Sequence, residues 1–258
     1  MSYVAKFRAR MEADGLAGAL RQLARFVARR AGIPFDIRPY EYVQSNAQSE
    51  LHRYLGVSRA DIRSIVTVGA HMGYEVTPML RTYKNVKFRL FEASPRYTDR
   101  LKRRFSGTKR VQVFECAVSN LDGDVTFHET NLEGSGSLLE IGALGVQSYG
   151  MEKAGSYTVP ARRLDSHAKE HGYLNERVDC LWIDVQGAEL TVLEGASALL
   201  ENVRSVFIEV SVLNPLYQGG ALLADIQAML SLHDMTMLSL GVDPSNGTGN
   251  ALFVRRRH

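Results

Sequence analysis

The amino-acid sequence predicts a doubly wound α/β fold, its sheet mostly parallel with an antiparallel C-terminal strand, preceded by a helical segment. Three observations carry this. From residue 61 onward, short apolar runs alternate with helix-length amphipathic segments. The first run, Ile65, Val66, Thr67 and Val68, passes into a turn with glycine at both ends, Gly69 and Gly73. The last helical segment is followed by two strand-like runs rather than by another crossover.

A chain of 258 residues is ample for one α/β domain plus an extra segment. Its formal net charge of +3 does not argue for nucleic acid. Basic runs at 102–104 and 255–257 lack the interleaved aromatic residues of a single-strand site, so no nucleic-acid partner is expected. Cys116 and Cys180 lie in apolar runs without CxxC or metal-ligand spacing, and both read as core residues.

Residues 1–30 read as a basic amphipathic helix, with Leu16, Leu20, Leu23, Phe26 and Val27 on one face among Arg21, Arg25, Arg29 and Arg30. Arginines interrupt it too often for a signal peptide, and nothing approaches the ~20 apolar residues of a membrane span. A cytoplasmic location is the expectation. Peripheral contact with anionic lipid head groups is the functional reading of this helix, and packing across the main domain with a solvated arginine face is the plainer one. Residues 32–39 break it with Gly32, Pro34 and Pro39, and 47–55 restart it behind Ser45 or Asn46. A boundary near Arg59 divides a helical segment, 1–60, from a domain at 61–258.

Within that domain the pattern reads strand 65–68, helix 74–83, strand 86–91, helix 95–105 with Ser94 as N-cap and Pro95 in its first turn, and strand 111–116. This is a βαβαβ half, whose ligand lies beyond the carboxyl ends of the strands. Asp122 and Gly123 form a turn before an alternating segment to Thr130, and Gly134, Ser135 and Gly136 follow, so this stretch reads as a hairpin or flap. Residues 156–164 are extended and 165–171 a short helix capped by Asp165. Strand 180–185, helix 189–200, strand 203–210, helix 222–232 and strands 235–240 and 251–254 complete the chain. Ending in two strands joined through 241–249 suits a class I methyltransferase arrangement rather than a dinucleotide dehydrogenase, whose turn would read GxGxxG where this chain has GAHMG.

Carboxylates close the strands that should meet at the ligand rim. Glu92 lies about twenty residues past the glycine turn, where an acid accepts hydrogen bonds from an adenosine ribose. Asp184 and Glu209 end neighbouring strands and should face one cleft. No third ligand with clear spacing accompanies them, so no metal is expected.

The motifs VGAHMGY, FEASP, CAVSNLDGDVTF, GSGSL, WIDVQGAELTVLEGA and FIEVSVLNPLYQG stand in this order between residues 65 and 254. In order and spacing they resemble the FkbM family of S-adenosylmethionine-dependent O-methyltransferases. The resemblance implies S-adenosyl-L-methionine as cofactor and methyl transfer to a hydroxyl, commonly on a sugar of a glycan, glycolipid or secondary metabolite. The family usually has Asp where this chain has Thr67, and often Asn where it has His71. Cofactor contacts are expected from Val68, Gly69, Ala70, His71, Gly73, Glu92, Ala93, Cys116, Ala117 and Asp184. Tyr217, Asn214 and His128 are expected around the acceptor, with Tyr217 offering its ring to a sugar. Asp184 or Glu209 is the candidate general base, and Glu189 would position the cofactor's amino-acid end or the acceptor. His71, His128 and His167 are alternative bases. Rival readings are an inactive binding protein of the same fold and a nicotinamide-dependent oxidoreductase.

Overall fold

A computed structural model describes residues 36–38, 40–243 and 245–256. The basic helix expected over 1–30 lies outside the described residues. Among those described, eight strands form one sheet in the order β1-β10-β11-β9-β8-β2-β3-β4. In chain order they are β1 (Asp36–Arg38), β2 (Ser64–Val68), β3 (Lys87–Glu92), β4 (Val111–Glu115), β8 (Cys180–Ile183), β9 (Ser205–Ser211), β10 (Met235–Val242) and β11 (Thr248–Arg255). β11 runs antiparallel to both its neighbours, and every other pairing is parallel. The chain therefore has the class I methyltransferase fold. A smaller sheet, β5-β7-β6, is built from β5 (Ala117–Val118), β6 (Gly123–Thr130) and β7 (Lys153–Arg162).

The apolar strand runs are buried on both faces, as a parallel sheet requires. Val66, Val68, Leu181, Ile183, Val206 and Ile208 point into one core, where α5 (Leu164–Glu170), α6 (Glu189–Glu194), α7 (Ser197–Leu200) and α8 (Leu223–Ser231) cover the sheet. Their alternates Ile65, Phe88, Leu90, Trp182 and Phe207 point into the other, against α1 (Tyr40–Tyr54), α2 (Val76–Thr82) and α3 (Pro95–Phe105). Trp182 and Phe207 stack there at 3.8 Å between centroids. Helix α1 begins at Tyr40, before the expected start at Ala47, and presents Ala47 and Leu51 to the sheet, with Leu55 just past its end in the same core.

Three local expectations are corrected. The single helix expected over 189–200 is two, α6 and α7, because Gly195 passes so close to the 119–120 backbone that a Cβ there would lie 2.0 Å from the Ser119 carbonyl oxygen. Asp165 does not cap its own helix: its carboxylate accepts from the Ala198 and Leu199 amides of α7, at 3.1 and 2.9 Å. Asp122 serves α5 instead, accepting from the Arg163 amide and the Ser166 hydroxyl. Ser94 stands at the N-cap of α3, but its hydroxyl donates to Glu129 at 2.5 Å rather than accepting from the helix. A further helix, α4 (Ala143–Tyr149), was not expected from the pattern. Among the described residues no helix is long and apolar enough to cross a membrane.

Candidate active site

The carboxyl ends of β2 and β8 meet where the strand order reverses, the position at which open α/β sheets bind ligands. Gly69 leaves β2 at φ +77°, and its amide and that of Ala70 both donate to the Phe91 carbonyl at 3.0 Å. A Cβ on Gly69 would lie 1.8 Å from the Asp184 carbonyl oxygen, so this approach admits only glycine. Gly73, at φ +65°, packs instead on Phe105 and Leu101.

A cleft opens over this turn. Val68, Gly69, His71, Glu92 and Ala93 line one side, and Cys116, Ala117 and Asp184 are also in its wall. Of the expected cofactor contacts, Ala70 and Gly73 lie behind this surface, where they shape the turn. Glu92 is 6 % exposed and takes the His71 amide on one oxygen at 2.7 Å and the Ser94 amide on the other at 2.8 Å. Each oxygen keeps a further lone pair, the acceptor capacity a ribose diol needs. Burial pushes the Glu92 carboxyl up to about 7. It also pushes the Cys116 thiol up to about 11, which leaves that thiol protonated and inert in the cleft wall.

Residues 131–137 strap across the cleft. Gly134 crosses the His71 ring, and its amide donates to the Tyr97 hydroxyl at 3.3 Å. The Ser137 hydroxyl donates to the Gln186 carbonyl at 2.8 Å, and the Tyr217 hydroxyl to the Ser135 carbonyl at 2.7 Å. The free space in the partly open cleft beside this strap is about 60 Å³.

A second cavity of about 300 Å³ lies beyond it, bounded by Leu132, Glu133, Tyr149, Glu209, Leu216 and Asp243 among others. Gln186 lines both cavities. It adopts φ +58°, uncommon for a residue with a Cβ, and its amide nitrogen donates to Asp184 at 2.7 Å and Glu209 at 2.9 Å. The two carboxylates expected to face one cleft thus meet at the wall between two cavities, Asp184 toward the first and Glu209 toward the second. Both are raised, chiefly by burial, and for Glu209 the charges of Asp184 and Glu189 add to that burial. Glu189 lines neither cavity. Its carboxylate accepts from the Val185 and Gly187 amides at 3.2 and 3.0 Å, which holds the 184–189 loop in shape, and burial pushes it up to about 7.

The remaining expected site residues lie elsewhere. Tyr217 is 2 % exposed, its ring against Gly187, so it braces the strap and Gln186 from beneath. Asn214 is exposed and borders neither cavity. His128 bonds to Ser156 at 2.8 Å, away from the cleft. His167 sits in the core against Phe91 and Phe114, held down to about 4 by burial. Sequence reasoning passed over Gln186, Tyr149 and Glu75; only Gln186, between Asp184 and Glu189, had a local signal.

The buried acids give the free protein an unusual pH response. Glu92 and Glu189 at about 7, and Glu75 at about 8, all lie above the ordinary value of 4.5. The folded state therefore holds protons that the unfolded chain releases, and stability is lost as pH rises through these values. His167, His71 and His52 are lowered and act in the opposite sense, but only below their ordinary 6.5. Between pH 6.5 and 8 the acids prevail, and stability should fall by roughly 1–3 kcal/mol per pH unit. Denaturant unfolding at the two ends of that window checks this; equal or greater stability at pH 8 would contradict it.

The described fold resembles the METTL16 methyltransferase domain, with a TM-score of 0.51 and 12% identity over 93% of this chain and 81% of that one. Among curated proteins, 2-O-methyltransferase NoeI of Sinorhizobium fredii (strain NBRC 101917 / NGR234) is 30% identical over 60% of this chain and 65% of its own length. Methyltransferase sdnD of Sordaria araneosa is 29% identical over 56% and 65%. The chain thus spans just under two thirds of the length of these relatives. The domain described as Methyltransferase FkbM matches residues 67–238, from the glycine turn through both carboxylates of the wall. The glycine cradle, the Glu92 acceptors and a cluster of buried acids suit a cationic adenosyl cofactor, and the chain belongs to the FkbM family of S-adenosyl-L-methionine-dependent methyltransferases.

Proposed function

We propose that this protein methylates a hydroxyl of a non-acidic, sugar-like acceptor held in the second cavity. The observation that carries the reading is Gln186, which joins a carboxylate of the cofactor cleft to a carboxylate of the neighbouring cavity. Bound S-adenosylmethionine supplies an electrophilic methyl group, so the protein's work is alignment and removal of one proton. Glu209 borders the acceptor side and is the group we assign to take that proton. Asp184 and Gln186 fix its position and share its charge.

The lining supports the acceptor class. Glu133, Glu209 and Asp243 border the cavity, and no Lys or Arg does so among the described residues, which disfavours a phosphorylated or acidic acceptor. Tyr149 is 42 % exposed at this cavity and offers an aromatic face to a sugar ring. The relative named 2-O-methyltransferase is consistent with an oxygen acceptor.

Tritium transfer from methyl-labelled S-adenosylmethionine to a panel of neutral, amino and phosphorylated glycosides tests this. Label should reach neutral or amino glycosides; transfer confined to phosphorylated ones, or to none, would overturn it. S-adenosylhomocysteine should bind the wild type, and Glu92→Gln should weaken that binding by roughly 10- to 100-fold through lost charge-assisted hydrogen bonds to the diol.

A further inference from the structure

We propose that Glu75 binds the α-ammonium group at the methionyl end of the cofactor. The inference rests on the methyl-donor reading above and assigns a residue that the glycine-turn motif does not single out. Glu75 follows Gly73 by two positions, at the N-cap of α2. Its Oε1 is buried and has no hydrogen-bond partner. The other acids of this region are satisfied: Glu92 by the His71 and Ser94 amides, Glu189 by those of Val185 and Gly187, and Asp184 and Glu209 by Gln186. A buried carboxylate without a partner is costly unless it is protonated or meets a cation.

Among the described residues no such cation lies at close range. Arg104 is the basic group that attracts Glu75, but its guanidinium donates to the Thr77 hydroxyl at 3.0 Å and lies over the Tyr74 ring. Asp184 and Glu92, the acids of the cleft wall, repel Glu75, which places it within their electrostatic reach. The cofactor carries two positive centres. Its sulfonium has no N–H or O–H to donate, whereas the α-ammonium has three N–H donors, and Oε1 lacks a donor. Burial, reinforced by those two acids and opposed by its own amide and Arg104, pushes the free carboxyl up to about 8. Contact with an ammonium reverses this and releases a proton at neutral pH.

Calorimetry with two probes tests the assignment. S-adenosylhomocysteine carries the amino-acid end, and 5′-methylthioadenosine lacks it. Glu75→Gln should weaken S-adenosylhomocysteine roughly 10- to 100-fold and leave methylthioadenosine within about twofold, which also shows that the variant is folded. Wild type at pH 7, titrated in buffers of differing ionisation enthalpy, should release more protons with S-adenosylhomocysteine than with methylthioadenosine, and the variant should lose that difference. Unchanged S-adenosylhomocysteine affinity in the variant, or equal weakening of both probes, would overturn the assignment while leaving the donor reading intact. A wild type that binds neither probe would remove the donor reading itself.

Discussion

Gly69→Ala should unfold the cofactor end of the sheet, at a cost of more than about 4 kcal/mol. Two effects add. A left-handed φ of +77° carries about 1–2 kcal/mol for any residue with a Cβ. The Cβ would also lie 1.8 Å from the Asp184 carbonyl oxygen, a backbone atom held by the β2–β8 pairing. Relief requires the two strands to part, and the Asp184 amide donates to the Val68 carbonyl at 3.0 Å immediately beside the clash. Parting them would displace Asp184 and every group that Gln186 ties to it. Gly107→Ala is the matched control, because its Cβ would meet nothing within 4 Å and no left-handed φ is needed there. Denaturant midpoints should fall sharply for the first and stay within about 0.5 kcal/mol of wild type for the second. Wild-type stability and S-adenosylhomocysteine affinity in Gly69→Ala would mean that the turn is not closely packed.

That clash belongs to the part of the molecule that was readable in the sequence. Ile65, Val66 and Val68 announce a strand buried on both faces, and a glycine-bounded turn after it has few other uses. The antiparallel pairing of the two terminal strands was readable, because 241–249 is too short for a parallel crossover, but the insertion of β11 between β9 and β10, rather than at the sheet edge, was not. Contacts between distant segments were not readable. Nothing near Gly195 announces that Ser119 crosses it, and nothing near Asp165 announces that the helix it caps begins at Ser197. The 143–149 helix has two turns, too few to establish a helical period, yet it carries Tyr149 to the second cavity. Acids at strand ends were legible because strand ends converge. Glu75 and Gln186 lie beyond those ends, where only the folded loop decides what they meet.

Glu209→Gln should lower kcat by roughly 10²- to 10⁴-fold, the usual contribution of a general base, with S-adenosylhomocysteine affinity within a few-fold of wild type. The substitution keeps the volume and leaves an amide that cannot take a proton at the acceptor cavity. Asp184→Asn should behave differently. The Asp184 charge adds to burial in raising Glu209, so removing that charge makes Glu209 easier to ionise. The acidic limb of the kcat profile should therefore move to lower pH in Asp184→Asn, and that limb should vanish in Glu209→Gln. The contrast separates the group that takes the proton from the group that tunes it, which a loss of rate alone would not do. Wild-type turnover in both variants would remove proton transfer to this pair, leaving alignment of the two substrates as the protein's whole contribution.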